Sequence, residues 1–265
     1  MNERMGIPGG LDAGHVSTKA VIMKGQEILG HSKVPTGFDA GASARKALND
    51  AADSAGISCS ELGGIVTTGI FRDVVGNLPW KRIRSVPEYE AAAKGALFLN
   101  GDSRTVIDIG GNVHMAIHYD QKGDLLDVVQ NDKCADGLGI FYTRITKAMG
   151  LSEQEMSDLA LESNDHLSIG VHCAQCAESD AIDLLCQGKD IRDVAGAVTG
   201  FMAERVAAIC TYMPLTKEIV AMGGLARSRA LIMRLRDLIG MDITVLDLPE
   251  YAVALGAVMS CEGER

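Results

Sequence analysis

Aromatic side chains are scarce. They make up 4% of the 265 residues, with a single tryptophan, Trp80. A chain so poor in flat rings has an aliphatic core and no stacking platform for nucleobases. Positive charge is short as well: 25 Lys and Arg stand against 35 Asp and Glu, a formal net charge of −10. Lys81-Arg82-Ile83-Arg84 and Arg227 to Arg236 are the local exceptions. A nucleic-acid partner, bound largely through cationic contacts to phosphate, is disfavoured. No apolar run approaches the roughly 20 residues of a membrane-spanning helix. Met1 to Gly10 contains no apolar stretch of export-signal length.

Glycine and cysteine are present in quantity, at 30 and 7 residues. An odd number of cysteines with no export signal predicts reduced, buried or metal-bound thiols rather than disulfides. The expectation is a soluble, acidic, cytoplasmic protein. Hydrophobic residues at 47% and charged residues at 23% allow a sizeable core in one large or two ordinary domains.

Glycines and alternating apolar residues set out the elements. After a short lead-in with Pro8-Gly9-Gly10, the stretch Gly10 to Met23 predicts a strand, a tight glycine turn and a second strand. Glu27 to Val34 predicts a third strand, Ala40 to Ala55 a helix, and Gly64 to Gly69 a short buried strand. Pro87 opens a helix at Glu88. The pattern then restarts. Thr105 to Ile117 is again strand, Asp, glycine turn, strand, and Leu125 to Gln130 a third strand. Asp12-x-Gly14 and Asp108-x-Gly110-Gly111 thus open two similar units, which indicates a duplicated fold. Further on, helices are predicted over Ile140–Met149, Ser152–Ala160, Ala177–Gln187, Ile191–Tyr212, Ser228–Ile239 and Glu250–Cys261. Short strands are predicted at Ser168–Val171, Glu218–Ala226 and Thr244–Leu246. Domain boundaries are expected near residue 100, giving 1–100 and 101–265, with the last helix packing back on the first domain.

The chemistry of these turns is specific. An Asp at the end of a strand, followed by a glycine turn, offers backbone N–H groups to phosphate oxygens while the carboxylate holds a hydrated Mg²⁺. Asp12 and Asp108 are the candidate catalytic residues. Gly14, His15, Lys19, Gly110, Gly111 and Asn112 are the candidate phosphate ligands. Two such hairpins facing across a cleft clamp a polyphosphate. Gly223 and Gly224, ending a buried strand before Ala226, offer bare backbone to an adenine or ribose.

Two cysteine stretches complete the pattern. Asn131-Asp132-Lys133-Cys134-Ala135-Asp136-Gly137-Leu138-Gly139 runs into a helix, and so does Val171-His172-Cys173-Ala174-Gln175-Cys176. Thiols at helix starts sit where negative charge is favoured, which suits thiolates and an anionic metal cluster. On position alone, small buried fillers fit equally well. Cys173-x2-Cys176 with Cys134 and His172 also has zinc-ligand character. Cys186 and Cys210 are expected in the core.

At these residues the chain resembles the sugar-kinase, heat-shock-chaperone and actin superfamily of ATPases. It resembles most specifically the ATP-hydrolysing activators of 2-hydroxyacyl-CoA dehydratases and the ATPase subunits of benzoyl-CoA reductases. The resemblance spans roughly residues 10–260. It rests on Asp12-Ala13-Gly14-x4-Lys19, Thr68-Gly69, Ile107-Asp108-Ile109-Gly110-Gly111, Asn131 to Gly139, Cys173-x3-Ala177-Glu178-Ser179-Asp180, Gly223-Gly224-Leu225-Ala226 and Gly256-Ala257. It implies an α/β fold of two duplicated ribonuclease-H-like (actin-like) domains, with mixed sheets flanked by helices and ATP in the cleft. It also implies that Cys134 and Cys173 ligate a 4Fe–4S cluster shared between two subunits, as a homodimer or with a paralogous ATPase subunit. Hydrolysis would then drive one low-potential electron to a partner reductase or dehydratase.

Three departures stand out. His15 replaces a hydroxyl, Asn112-Val113 replaces Gln-Asp, and the Glu88-Tyr89-Glu90 segment lacks the His found a few residues on. Two rivals stay open: a small-molecule kinase on the same scaffold, and a nucleotide-binding structural or assembly subunit.

Overall fold

Short strands joined by glycine turns, then alanine-rich helices, build the same unit twice. The computed structural model describes residues 6–261 except 79, 166 and 172, and of Arg82, Ile83 and Cys134 the backbone alone. The chain divides into two compact units. One gathers the chain up to Arg104, Tyr119–Leu126 and the chain from Leu246 onward; the other gathers Thr105–His118 and Asp127–Val245.

The first unit begins with β1 (Ile7–Ala13), β2 (Ser17–Lys24) and β3 (Glu27–Pro35). Next come α1 (Ala40–Ala55), β4 (Leu62–Thr68), α2 (Arg72–Gly76), β5 (Arg82–Ser85) and α3 (Glu88–Leu99). The strands form one sheet in the order β3-β2-β1-β4-β5, with β1 antiparallel to β2 and parallel to β4. Asp39 caps α1 by accepting the Ala42 N–H, and Gly56 ends it in the left-handed conformation at φ 68°. The inner face of α1 is Ala44, Ala47, Leu48, Ala51 and Ala52, which pack on Leu11, Ala13, Ala20 and Ile22.

The second unit repeats the plan with β6 (Thr105–Ile109), β7 (His114–Tyr119) and β8 (Leu125–Gln130). Helices α4 (Leu138–Ala148), α5 (Glu153–Leu161), α6 (Ala174–Cys186) and α7 (Ile191–Cys210) follow, then β9 (Ile219–Met222), α8 (Arg229–Ile239) and β10 (Thr244–Val245). Its sheet runs β8-β7-β6-β9-β10. Position for position, that is the first sheet's order, so the duplication expected from the two Asp-Gly turns is present in the topology.

The last helix, α9 (Ala252–Met259), belongs to the first unit. It packs Ala254, Leu255 and Val258 on Val21 and Met23. Its approach to α3 is backbone to backbone. A Cβ on Gly256 would collide with the Ala91 carbonyl, and one on Gly95 with the Ala252 carbonyl. Each large aliphatic side chain buried in these cores contributes about 1.5–3 kcal/mol. Among the described residues, no helix is long and apolar enough to cross a membrane.

Several local expectations change. Pro8-Gly9-Gly10 is not a lead-in but part of β1, because only a glycine at position 10 lets the Ala254 carbonyl come so close. Ser168–Val171 forms no strand. Both sheets are complete at five strands without it, and of Ser168, Ile169 and Gly170 only Ile169 is buried. Helix α6 starts at Ala174 rather than Ala177, which puts Cys176 in its first turn. Strand β5 was not expected within the basic cluster. Cys210 is buried, as expected, and burial pushes its thiol up to about 12. Cys186 is exposed, on the outer face of α6.

Candidate functional site

In the first unit the site is a row across three strands. Register pairs Asp12 of β1 with Lys19 of β2 on one side and with Thr68 of β4 on the other. Residues so paired lie on the same face of a sheet. The Lys19 ammonium donates to Asp12 Oδ2 at 2.9 Å, and the Asp12 side chain is 4% exposed. Among the described residues, Asp12 Oδ1 has no hydrogen-bond partner, nor has the buried Thr68 hydroxyl. Gly69, at φ +85°, closes the row, and a Cβ there would stand 2.6 Å from Asp12 Oδ1 and from the Ala13 carbonyl. Only glycine fits that position.

The turn beside the row is held from below. The Thr36 hydroxyl donates to the Gly14 carbonyl at 2.7 Å and pairs with the Thr18 hydroxyl at 3.0 Å. Thr18 in turn pairs with Ser43 at the start of α1. His15 lies outside this network. It is exposed, with its ring 5.9 Å from that of Phe71.

The second unit has the corresponding row with different neighbours. Asp108 of β6 pairs with Met115 of β7 and Met222 of β9. Gly223, at φ +90°, stands to Asp108 as Gly69 stands to Asp12. A Cβ there would lie 2.6 Å from Asp108 Oδ1 and collide with the Ile109 carbonyl. Gly223 therefore lies against the carboxylate. Gly224 beside it has open space where a Cβ would stand, and Ala226 is buried in the core of this unit.

The first cysteine stretch is built directly onto the turn after Asp108. The Gly137 N–H donates to the Asn112 carbonyl at 2.9 Å, and the Ile140 N–H to the Gly111 carbonyl at 2.9 Å. Gly137, at φ 79°, caps α4. A Cβ on Gly139 would stand 2.6 Å from the Gly110 carbonyl oxygen and 2.7 Å from Gly111 Cα. The glycines of the stretch thus let the first turn of α4 rest on Gly110-Gly111-Asn112. Asn131 anchors the other end. Its Oδ1 accepts the His114 N–H at 2.8 Å, and its Nδ2 donates to Asp136 Oδ1 at 2.9 Å. Cys134 lies in a short helical turn, Lys133–Ala135, and its side chain is outside the described residues.

Cys173 is the N-cap of α6. Its thiol is held below the usual value, because the backbone N–H groups of Cys176 and then Gln175 donate to the sulfur. The thiol of Cys176, exposed one turn on, is raised by its hydrogen bond to Cys173. Helices α4 and α6 are tied together. Arg144 pairs with Glu178 at 3.0 Å, and Leu138, Phe141, Ala174 and Ala177 share one core. Of the zinc set Cys134, His172, Cys173 and Cys176, only the side chains of Cys173 and Cys176 are described. Among the described residues, no three His, Cys, Asp or Glu side chains gather as a metal site.

The residues fit the groups the resemblance implies. The buried, unpartnered Asp12 Oδ1 suits a hydrated divalent cation or a water on it. A Cβ on Gly110 would stand 2.5 Å from the Val113 carbonyl, so the tight turn after Asp108 needs glycine there. The Cys173 thiol, held below its usual value at a helix start, suits a cluster ligand.

His114, which closes the turn opposite Ile109, is 1% exposed, and among the described residues its Nε2 has no hydrogen-bond partner. Burial lowers its pKa from 6.5 to about 4, with Asp136 and Asp132 opposing the shift. The unfolded chain takes up this proton near 6.5, while the folded chain resists until about 4. Stability is therefore whole above about 6.5 and falls as pH drops through the interval to 4, by about 3 kcal/mol. Urea unfolding between pH 7 and 4.5 checks this. His114→Gln is expected to flatten the acid limb.

Thr68-Gly69 and Asn131 were seen as motif residues but given no role in the site, and Thr36 was not singled out. A signal did exist for two of them. Val66-Thr67-Thr68-Gly69 and Val220-Ala221-Met222-Gly223 are both strand ends closed by a glycine, at matching places in the repeat.

The fold is shared with known proteins. The chain is 30% identical over 251 residues to the activator of lactoyl-CoA dehydratase from Anaerotignum propionicum, covering 94% of this chain and 95% of that one. Component A of (R)-2-hydroxyglutaryl-CoA dehydratase from Acidaminococcus fermentans superposes with a TM-score of 0.88 at 27% identity over 96% of both chains. The activator of 2-hydroxyisocaproyl-CoA dehydratase from Clostridium difficile, solved with bound ADPNP, superposes with a TM-score of 0.86 at 27% identity over 98% of both. The two mixed sheets are thus the duplicated actin-like ATPase fold. Residues 10–261 match the model of one family, and the chain belongs to it: the BadF/BadG/BcrA/BcrD ATPase family.

Proposed function

We propose that this chain is an ATP-hydrolysing activator that delivers single low-potential electrons to a partner acyl-CoA dehydratase or aryl-CoA reductase. The observation that carries the reading is the seat of α4. Its first N–H groups donate to the carbonyls of Gly111 and Asn112, the residues that would take phosphate. Any backbone shift in that turn moves the start of the helix that follows Cys134. Helix α6, led by Cys173, follows through Arg144–Glu178 and the shared core. Packed elements of this kind pass on a displacement rather than absorb it.

In this reading Asp12 and Asp108 hold the hydrated Mg²⁺ of ATP. Gly14, Lys19, Gly110, Gly111 and Asn112 hold its phosphates. Gly224 lies along the nucleoside, where the structure leaves space beyond its Cα. Cys134 and Cys173 hold one side of a 4Fe–4S cluster, which supplies one-electron chemistry at low potential. Four thiolates are needed and one chain offers two. A second copy, or a paralogous subunit, therefore completes the set. Reduced thiols of this kind belong in the cytoplasm. The acyl-CoA class of acceptor is supported by the relatives, which activate lactoyl-CoA and 2-hydroxyisocaproyl-CoA dehydratases.

The test is anaerobic. The chain is mixed with a low-potential donor and a purified 2-hydroxyacyl-CoA dehydratase, and phosphate release and reduction of the dehydratase are followed together. Both are expected to require ATP, and ADPNP is expected to sustain neither multiple-turnover reduction nor phosphate release. ATP turnover with no reduction of any dehydratase or reductase component would favour an assembly role instead.

A further inference from the structure

The two halves of the duplication are alike in backbone and unlike in chemistry. Asp12 stands between Lys19 and Thr68, whereas Asp108 stands between Met115 and Met222. Both aspartates are nearly buried, and each is closed off by a glycine of positive φ at the end of the neighbouring parallel strand. The difference therefore lies in what flanks the carboxylate. One row carries an ammonium and a hydroxyl, the other two thioethers.

The hydroxyl is the unexplained part. Thr68 is 0% exposed, and among the described residues its Oγ1 has no hydrogen-bond partner; Thr67, Thr146 and Thr199 share this condition, but only Thr68 pairs with Asp12. A buried hydroxyl left without a partner costs stability, so its presence needs a reason. Valine has nearly the same shape and would avoid that cost. Asp12 Oδ1, on the same face one strand away, is likewise buried and without a partner among the described residues. Oδ2 is already taken by Lys19. Oδ1 leans toward the end of β4, as its closeness to the Cβ position of Gly69 shows. Adjacent strands lie roughly 4.8 Å apart, so two such polar atoms across one pairing are spaced to share a water.

We infer that Thr68 is a positioning residue for ATP hydrolysis, and that it works with Asp12 to orient the attacking water. This rests on the ATPase reading above. The water gives one hydrogen bond to Thr68 Oγ1 and one to Asp12 Oδ1, which turns a lone pair toward the γ-phosphorus. Attack forms the new P–O bond and breaks the bond to the β-phosphate oxygen of ADP. The water's surplus proton passes through the Asp12 carboxylate to phosphate or solvent. Met222 offers no such acceptor in the other row. The hydrolytic water thus belongs to the Asp12 row.

The test uses the full chain and compares Thr68→Val, Thr68→Ser and Thr67→Val by steady-state phosphate release and thermal unfolding. Thr67 pairs with Leu11, so its side chain faces the opposite side of the sheet. Thr68→Val is expected to lower kcat on the order of 100-fold with KM for ATP unchanged, as misplacement of a reacting group does. Thr68→Ser is expected to keep the wild-type kcat and Thr67→Val to leave it unaltered. A wild-type kcat in Thr68→Val overturns the inference, and so does a loss that appears in KM. If Thr68→Val does not fold, Thr68→Ala replaces it with the same expectation. If the wild type neither binds nor hydrolyses ATP, the ATPase reading itself has failed.

Discussion

Asp12→Asn is expected to lower ATP turnover on the order of 1,000-fold, the scale on which positioned catalytic charges act. The substitution keeps the shape of the side chain and removes its charge. The carboxylate stands at the centre of the Lys19–Asp12–Thr68 row, with one oxygen on the ammonium and the other without a partner. Asparagine puts an NH₂ in place of one of these oxygens. If the NH₂ faces Lys19, two donors meet and the ion pair is lost. If it faces the other way, the row loses the acceptor that would hold a hydrated cation or a water. Both orientations damage the site. The ammonium that remains is 17% exposed by side chain and is only partly rehydrated. A stability cost of about 1–3 kcal/mol follows, which lowers the melting temperature by only a few degrees. Thermal unfolding thus separates the chemical loss from a structural one. A variant that melts near the wild type yet turns over ATP at the wild-type rate would remove Asp12 from the machinery.

The sequence showed the skeleton of this site and concealed its pairings. Asp12-x-Gly14 and Asp108-x-Gly110-Gly111 were visible because a strand, an acid and a glycine turn are contiguous in the chain. The same contiguity put α1 at Ala40–Ala55 and the capping box of Ser152 with Glu155 where they are found. Thr68-Gly69 was visible as a motif, but the place of Thr68 beside Asp12 was hidden because it comes from a parallel pairing, and parallel neighbours are distant in sequence. Gly223 was read as facing the nucleoside because its partner, Asp108, is likewise far away in the chain. Strand β5 escaped because Arg82-Ile83-Arg84, inside a basic cluster at a sheet edge, is too short for its alternation to stand out. Cys186 was misplaced because a helix with leucines beside a thiol looks apolar on both sides, yet α6 buries only Ala174, Ala177 and Ala181. The seating of α4 on Gly110-Gly111-Asn112 could not be read at all. It depends on two backbone hydrogen bonds and on the absence of a Cβ at Gly139.

The central claim is that this ATPase carries half of an iron–sulfur cluster on Cys134 and Cys173. If two chains share one 4Fe–4S cluster, protein purified without oxygen should contain about two irons and two sulfides per chain. Cys134→Ser and Cys173→Ser should each lose most of both, because a hydroxyl is a poor substitute for a thiolate on iron. Cys176→Ser should keep them, since Cys173 stands at the N-cap of α6 and Cys176 lies one turn inside the helix, exposed. Nucleotide binding by the two iron-poor variants should survive, which shows that they are folded. The most direct measurement is therefore the iron and acid-labile sulfide content of the wild type beside Cys134→Ser, both handled anaerobically. Expected are about two of each per chain in the wild type and near zero in the variant. An iron-free wild type that still hydrolyses ATP, or full iron retention in Cys134→Ser, would contradict the claim.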